Sequence, residues 1–139
     1  MDNLLGPKSD LSRKRVFSVA LLVPLILVMS GCTPEQAPPK VTYADDVKPI
    51  IEARCLECHV SGQAGAEASG LAVDSYAGLM KGTRLGAVII PGSAASSTLF
   101  RLVSGEADPS IQMPHGKEMM TDEEIETIKV WIDQGANEY

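Results

Sequence analysis

The clearest hydrophobic pattern in this chain lies near its C-terminal end. Four apolar residues recur there at helical spacing and fall on one face: Ile125, Ile128, Trp131 and Ile132. Thr121 and Glu124 have the spacing of a capping box, which satisfies free N–H groups at the start of a helix. The sequence therefore predicts an amphipathic helix that begins after Thr121 and ends at Gly135.

A second helical pattern immediately precedes Cys55 and Cys58. Val47, Ile50 and Ile51 mark one apolar face, so we predict a helix over residues 46–55, capped by Asp45 or Asp46.

The stretch between the two terminal helices predicts short elements only. Residues 60–70 are rich in Ser, Gly and Ala and predict a loop. A short helix is expected over residues 76–81, capped by Asp74 or Ser75 and ended by Gly82. Another is expected around residues 99–103, capped by one of residues 96–98. The chain is therefore predicted to be all-α.

The first 31 residues have the pattern of a targeting segment. Basic residues 13–15 precede an apolar run over residues 16–29, shorter than the ~20 residues of a membrane-spanning helix. The run stops at Ser30-Gly31-Cys32, which resembles a bacterial lipobox, although Met29 stands where Leu is usual. We therefore predict a lipoprotein signal peptide over residues 1–31 and lipidation of Cys32. An ordinary signal peptide or an uncleaved anchor is the alternative.

Residues 32–42 predict how the folded domain is attached to a membrane. Residues 32–42 are rich in proline and have no apolar period, so we expect an extended tether before a folded domain at residues 43–139. Acyl chains on Cys32 would anchor that domain to a membrane on the periplasmic side. Thr33 follows the cysteine, and the lack of an Asp there favours the outer over the inner membrane.

The five-residue segment 55–59 indicates the chemistry of the predicted domain. Cys55, Cys58 and His59 read C-x-x-C-H, the c-type haem attachment sequence. Two thiols at this spacing can each form a thioether with one haem vinyl group, and the adjacent imidazole is then held against the iron. A thioredoxin-like pair or half of a zinc site competes with this interpretation. A zinc site needs further ligands, for which only Cys32 and His115 remain.

A sixth ligand for the iron is predicted in the loop before the last helix. Met113 precedes a proline, which keeps the segment non-helical and is a common way to present an axial thioether. His115 competes with it and would give bis-histidine iron. Met119 and Met120 are weaker competitors, and Met80 fits the core.

Two arginines, Arg84 and Arg101, are candidates to pair with haem propionates, although a solvated arginine is the competing interpretation for each.

Charge restricts the partners. The chain has 12 basic and 18 acidic residues. Removing residues 1–31 takes away four basic and two acidic residues, and leaves eight against sixteen. Nucleic acid and anionic lipid headgroups are therefore disfavoured, and a protein partner with a basic docking surface is favoured.

Together these segments resemble the small class I-like cytochrome c domains often called planctomycete-type cytochrome c. The likeness covers nearly all of residues 43–136 and rests on six segments: residues 46–51, 55–59, 71–82, 90–92, 113–114 and 131–136. It implies terminal helices packed around one covalent haem c, carried by Cys55 and Cys58, with His59 as proximal and Met113 as distal ligand. These domains often read Met-Pro-Pro, whereas His115 follows the proline here.

Three functions fit these predictions. The first is electron transfer between redox proteins, with both axial positions filled, no small-molecule substrate and no enzymatic activity. The second is a haem enzyme or gas or redox sensor with an open or labile distal site, which carbon monoxide binding would reveal. The third is a lipoprotein that recruits a periplasmic oxidoreductase. We find no nucleophile–base pair for a hydrolase.

Overall fold

A computed structural model describes residues 38–139; the predicted signal peptide, Cys32 and the first residues of the predicted tether lie outside them. This part of the chain is helical and contains no β-strand, which confirms the all-α prediction. A π-helical turn over Tyr43–Val47 is followed by six helices: α1 (Lys48–Arg54), α2 (Leu56–His59), α3 (Ala64–Ser69), α4 (Tyr76–Lys81), α5 (Thr98–Val103) and α6 (Asp122–Asp133).

The first helical segment begins three residues earlier than the apolar pattern predicted, at Tyr43. The prediction that an aspartate caps it is wrong, because the N-cap is Thr42, whose hydroxyl accepts a hydrogen bond from the Asp45 N–H at 3.3 Å. Asp46 stabilises the same turn, since its carboxylate accepts a hydrogen bond from the Thr42 N–H at 2.8 Å. Thr42 was assigned to the tether, yet it is buried here.

Helix α3 lies where the sequence predicted a loop. Alanine is the best helix former, and alternate positions of this helix are alanine. Gly70 ends the helix in the left-handed conformation, at a φ of 81°. The combined Ser, Gly and Ala content of residues 60–70 had suggested a continuous loop.

Helices α4 and α5 lie where they were predicted. The Ser75 hydroxyl caps α4 by accepting from the Gly78 N–H at 3.1 Å. Ser97 occupies the N-cap of α5 but makes no capping bond. Its fully buried hydroxyl instead accepts from the Ile90 N–H and donates to the Ser93 carbonyl, each at 2.8 Å. This serine therefore stabilises the turn before the helix.

Helix α6 confirms the capping box and the predicted apolar face. Thr121 and Glu124 make both reciprocal bonds, and the helix then buries three large side chains completely: Ile128, Trp131 and Ile132. The Trp131 ring packs 5.9 Å from the ring of Tyr43, centroid to centroid. The Tyr43 N–H also donates to the Asn137 carbonyl at 2.9 Å. The two ends of the domain thus share one core, as predicted.

A search of residues 38–139 for a helix long and apolar enough to cross a bilayer found none.

Candidate haem-binding site

The cysteine motif occupies the junction of α1 and α2. Cys55 ends α1, where its N–H donates to the Ile51 carbonyl at 2.9 Å, and its own carbonyl accepts from the N–H groups of Cys58 and His59 at 3.2 and 3.0 Å. Residues three and four positions apart on a helix lie on the same side. The helical turn thus brings both thiols and the imidazole to the lining of one cavity.

The two thiols differ in exposure. Cys55 is half-buried and Cys58 is exposed, and neither forms a disulfide. Burial, with smaller contributions from the nearby Cys58 and Glu124, raises the pKa of the Cys55 thiol to about 11. A reactive C-x-x-C pair of the thioredoxin kind needs a lowered pKa. The environment of Cys55 therefore argues against a thiol redox pair.

His59 is oriented by a backbone carbonyl. Its Nδ1 lies 3.2 Å from the carbonyl oxygen of Leu71. A carbonyl oxygen only accepts, so Nδ1 carries the proton and the Nε2 lone pair is free to bind a metal. The Val73 N–H in turn donates to the His59 carbonyl at 2.8 Å, so residues 71–73 hold both ends of this histidine.

Helix α3 fits against this histidine because of a glycine. A Cβ built on Gly65 would lie 2.6 Å from the Cys58 carbonyl oxygen and 3.1 Å from Cε1 of the His59 ring. The first distance is shorter than real Cβ atoms show, so a larger residue would force the backbone apart. Gly65 therefore permits the close contact between α3 and the cysteine motif.

The cavity has a volume of about 650 Å³. This lies within the range of about 300–1,000 Å³ typical of ligand and cofactor sites. Apolar side chains from α1, α5 and the intervening loops line it, among them Ile51, Leu71, Val88, Leu99 and Val103. An apolar cavity of this size, lined also by two thiols and an imidazole, matches the size and chemistry of haem c, so the residues present fit this group.

Met113 lines the same cavity, as the sequence prediction requires of a distal ligand. Its side chain is half-buried, its N–H donates to the Leu102 carbonyl at 2.9 Å, and its bond to Pro114 is cis.

The competing ligands separate into two groups. His115 is exposed and Met120 is buried, yet both line the cavity. Met80 and Met119 do not line it. Met80 packs against the core, as predicted, and Met119 is 39% exposed.

The cations at the cavity are not the arginines that the sequence singled out. Arg84 donates to the carbonyls of Glu67 and Ala68 at the end of α3, and neither Arg84 nor Arg101 is among the lining residues. Arg54 and Lys117 line the cavity instead.

Each of these two cations is paired with a carboxylate. The Arg54 Nε lies 2.9 Å from the Glu124 Oε1, which joins the end of α1 to the start of α6 and lowers the pKa of the Glu124 carboxyl. Lys117 pairs with Glu57, which lies between the two cysteines of the motif. The cations at the cavity are therefore locally neutralised.

Sequence reasoning missed the Leu71 carbonyl, Gly65 and the two ion pairs. The carbonyl carries no sequence signal, because any residue supplies one. Gly65 lies within the alanine-rich segment, and nothing local in the sequence separates it from the other glycines of residues 60–70.

Comparison with solved structures matched a chain of hydrazine synthase from Kuenenia stuttgartiensis. The match has 25% identity and a TM-score of 0.47, and covers 69% of this chain and 16% of that one. A search of curated proteins found no match.

Comparison with protein families matched residues 55–115 to the family described as planctomycete cytochrome C. The matched segment begins at the first cysteine of the motif and ends at His115, so it includes the motif, α3 to α5 and Met113. A match to this family is consistent with covalently bound haem c. Residues 55–115 are thus similar to planctomycete cytochrome C, the family that the sequence motifs resemble.

Proposed function

We propose that this protein is an electron carrier that holds one haem c through Cys55 and Cys58, with His59 and Met113 as the axial ligands. The observation that carries the proposal is that all four side chains line one apolar cavity. Haem c supplies reversible one-electron chemistry at its iron, and a methionine–histidine ligand pair raises its reduction potential.

The described residues orient the His59 imidazole and exclude water from the proposed metal site. The Leu71 carbonyl fixes the tautomer of His59, and such a partner also raises the basicity of the ligand. The apolar lining keeps water from the metal and favours the less charged state of the site. With a thioether on the distal side, no coordination position is left for a substrate, which supports a carrier rather than an enzyme.

We also propose that the domain works on the periplasmic side, anchored through lipidated Cys32 to the outer membrane in preference to the inner one. The apolar run at residues 16–29 and the small residues before Cys32 support this location. Haem attachment to exported apoprotein is compatible with such a signal.

The proposed partners are redox proteins that present basic residues. The acidic excess of residues 32–139 supports this choice. Such docking is steered by charge, so the rate of electron exchange should fall as salt rises.

The experiment combines voltammetry with carbon monoxide binding on the purified holoprotein. A carrier gives a reversible one-electron wave, and its reduced form does not bind carbon monoxide at neutral pH. Ready binding of the gas would contradict the proposal and would favour an open or labile distal site, and with it an enzyme or sensor.

A further inference from the structure

We propose that the ion pair between Glu57 and Lys117 positions the distal ligand by holding the loop that follows Met113 against the haem attachment motif. This inference rests on the proposed function, in which Met113 binds the iron. The distal loop is defined here as residues 114–119. Glu57 lies in α2, between the two cysteines, and Lys117 lies in the distal loop, so the pair joins the proximal and distal sides of the cavity.

The distal loop has few other attachments. Just before it, the Met113 N–H is fixed by the Leu102 carbonyl, and just after it Met120 is buried. Between these points, Lys117–Glu57 is the one hydrogen bond or ion pair that connects the loop to another element within residues 38–139. Breaking it would leave the loop without a hydrogen bond or ion pair to another element among these residues.

The pair differs in this respect from the other exposed pairs. Lys48–Glu52 and Lys129–Glu126 each join residues of a single helix. They support a helix that other contacts already hold, whereas Lys117–Glu57 joins segments sixty residues apart in the sequence. Its loss should therefore change the freedom of the loop rather than the global stability.

The exposure of the pair sets the size of the effect. The side chains of Lys117 and Glu57 are 42% and 77% exposed, so solvent screens their attraction. Exposed pairs of this kind change an equilibrium by about 1.5- to fivefold. We therefore expect the ion pair to modulate how often Met113 leaves the iron, with the methionine still bound for most of the time.

The test is displacement of the distal ligand by added imidazole in the oxidised holoprotein at about pH 8, where imidazole is neutral. Because the probe is uncharged, the charge changes in the variants do not alter its electrostatic attraction to the site. We compare the parent with Glu57→Gln, Lys117→Gln and the charge-exchanged double variant Glu57→Lys/Lys117→Glu. Glu126→Gln is the matched control, since it removes an exposed pair from α6.

Both single variants should bind imidazole about 1.5- to fivefold more tightly than the parent, and the double variant should return towards the parent value. High salt should raise imidazole affinity in the parent and the double variant but not in the single variants. The control should match the parent.

Two results would overturn the inference in distinguishable ways. If the parent is six-coordinate and the single variants bind imidazole as the parent does, or the control shifts equally, the positioning role is wrong and the proposed function stands. If the parent binds imidazole without losing a methionine ligand, both the positioning role and the proposed function are wrong.

Discussion

The Nδ1 atom of His59 lies 3.2 Å from the carbonyl oxygen of Leu71, twelve residues further along the chain. This contact determines which imidazole nitrogen is free, and it depends on α3 folding back between the two residues. The orientation of His59, the proposed proximal ligand, is therefore set by a backbone carbonyl that follows α3 in the chain.

Replacing Gly65 by alanine should disturb this arrangement. The new Cβ would press on the Cys58 carbonyl and the His59 ring, and overpacking of this kind costs about 1–3 kcal/mol of unfolding free energy. The reduction potential should shift as well, because the ring and its hydrogen bond move. Denaturant unfolding and voltammetry of the holoprotein measure the two effects.

Ala68→Gly is the matched control for this change. It weakens the same helix by about 1 kcal/mol, because glycine is a poorer helix former than alanine, but Ala68 is exposed and does not line the cavity. It should lower stability and leave the potential unchanged. Equal shifts of potential in both variants would show that Gly65 has no specific relation to His59.

The Arg54–Glu124 pair predicts a dependence of stability on acid. Its hydrogen bond from Arg54 lowers the folded-state pKa of Glu124 below its value of about 4.3 in the unfolded chain. The stabilisation is thus present above that unfolded value and is lost as the pH falls through the folded-state pKa. Glu124→Gln removes the charge but retains an acceptor for the Thr121 N–H.

Holoprotein carrying Glu124→Gln should therefore unfold at a lower denaturant concentration than the parent at pH 7. The difference should shrink as the pH falls below the folded-state pKa. A constant difference across that range would show that the pair contributes nothing through its charge.

Protein without haem should be largely unfolded. Without haem, the apolar side chains that line the cavity of about 650 Å³ lose the large apolar group against which they would pack. A typical domain has a stability of only about 5–15 kcal/mol, so the loss of this packing should leave little folded protein. The double variant Cys55→Ala/Cys58→Ala, purified without haem, should show little helix by circular dichroism, and a native helical spectrum would contradict this expectation.

Lipidation is tested at Cys32. Cys32→Ser should move the protein from the membrane fraction to the soluble periplasmic fraction, because the acyl chains supply the anchoring energy. Ser30→Ala, which keeps a small residue before the cysteine, should stay with the membrane. Retention of Cys32→Ser in the membrane fraction would favour an uncleaved anchor.

The amphipathic helix at the C-terminus was predictable because its apolar spacing and its capping box point to the same boundaries. The haem attachment motif was predictable because its chemistry fixes the spacing of Cys55, Cys58 and His59. In both cases the information is local in the sequence: helix α6 has the predicted capping box, and the family model matches from the first cysteine of the motif.

Other features depend on contacts that the local sequence does not encode. Helix α3 was taken for a loop, because its alanines were read together with the neighbouring Ser and Gly as a loop composition. The first helix gained a turn through the Thr42 cap. The arginines at 84 and 101 were chosen by residue type alone, whereas Arg54 reaches the cavity because α1 ends there. The roles of His59, Met113 and Cys32 stay predictions.

The most direct test of the central claim is the optical spectrum of the oxidised holoprotein beside those of Met113→Ala and His115→Ala. Sulfur ligation of low-spin ferric haem gives a weak far-red band. We predict that the parent and His115→Ala show this band and that Met113→Ala loses it. A parent without the band, or a band that survives in Met113→Ala, would contradict the account of a carrier ligated by His59 and Met113.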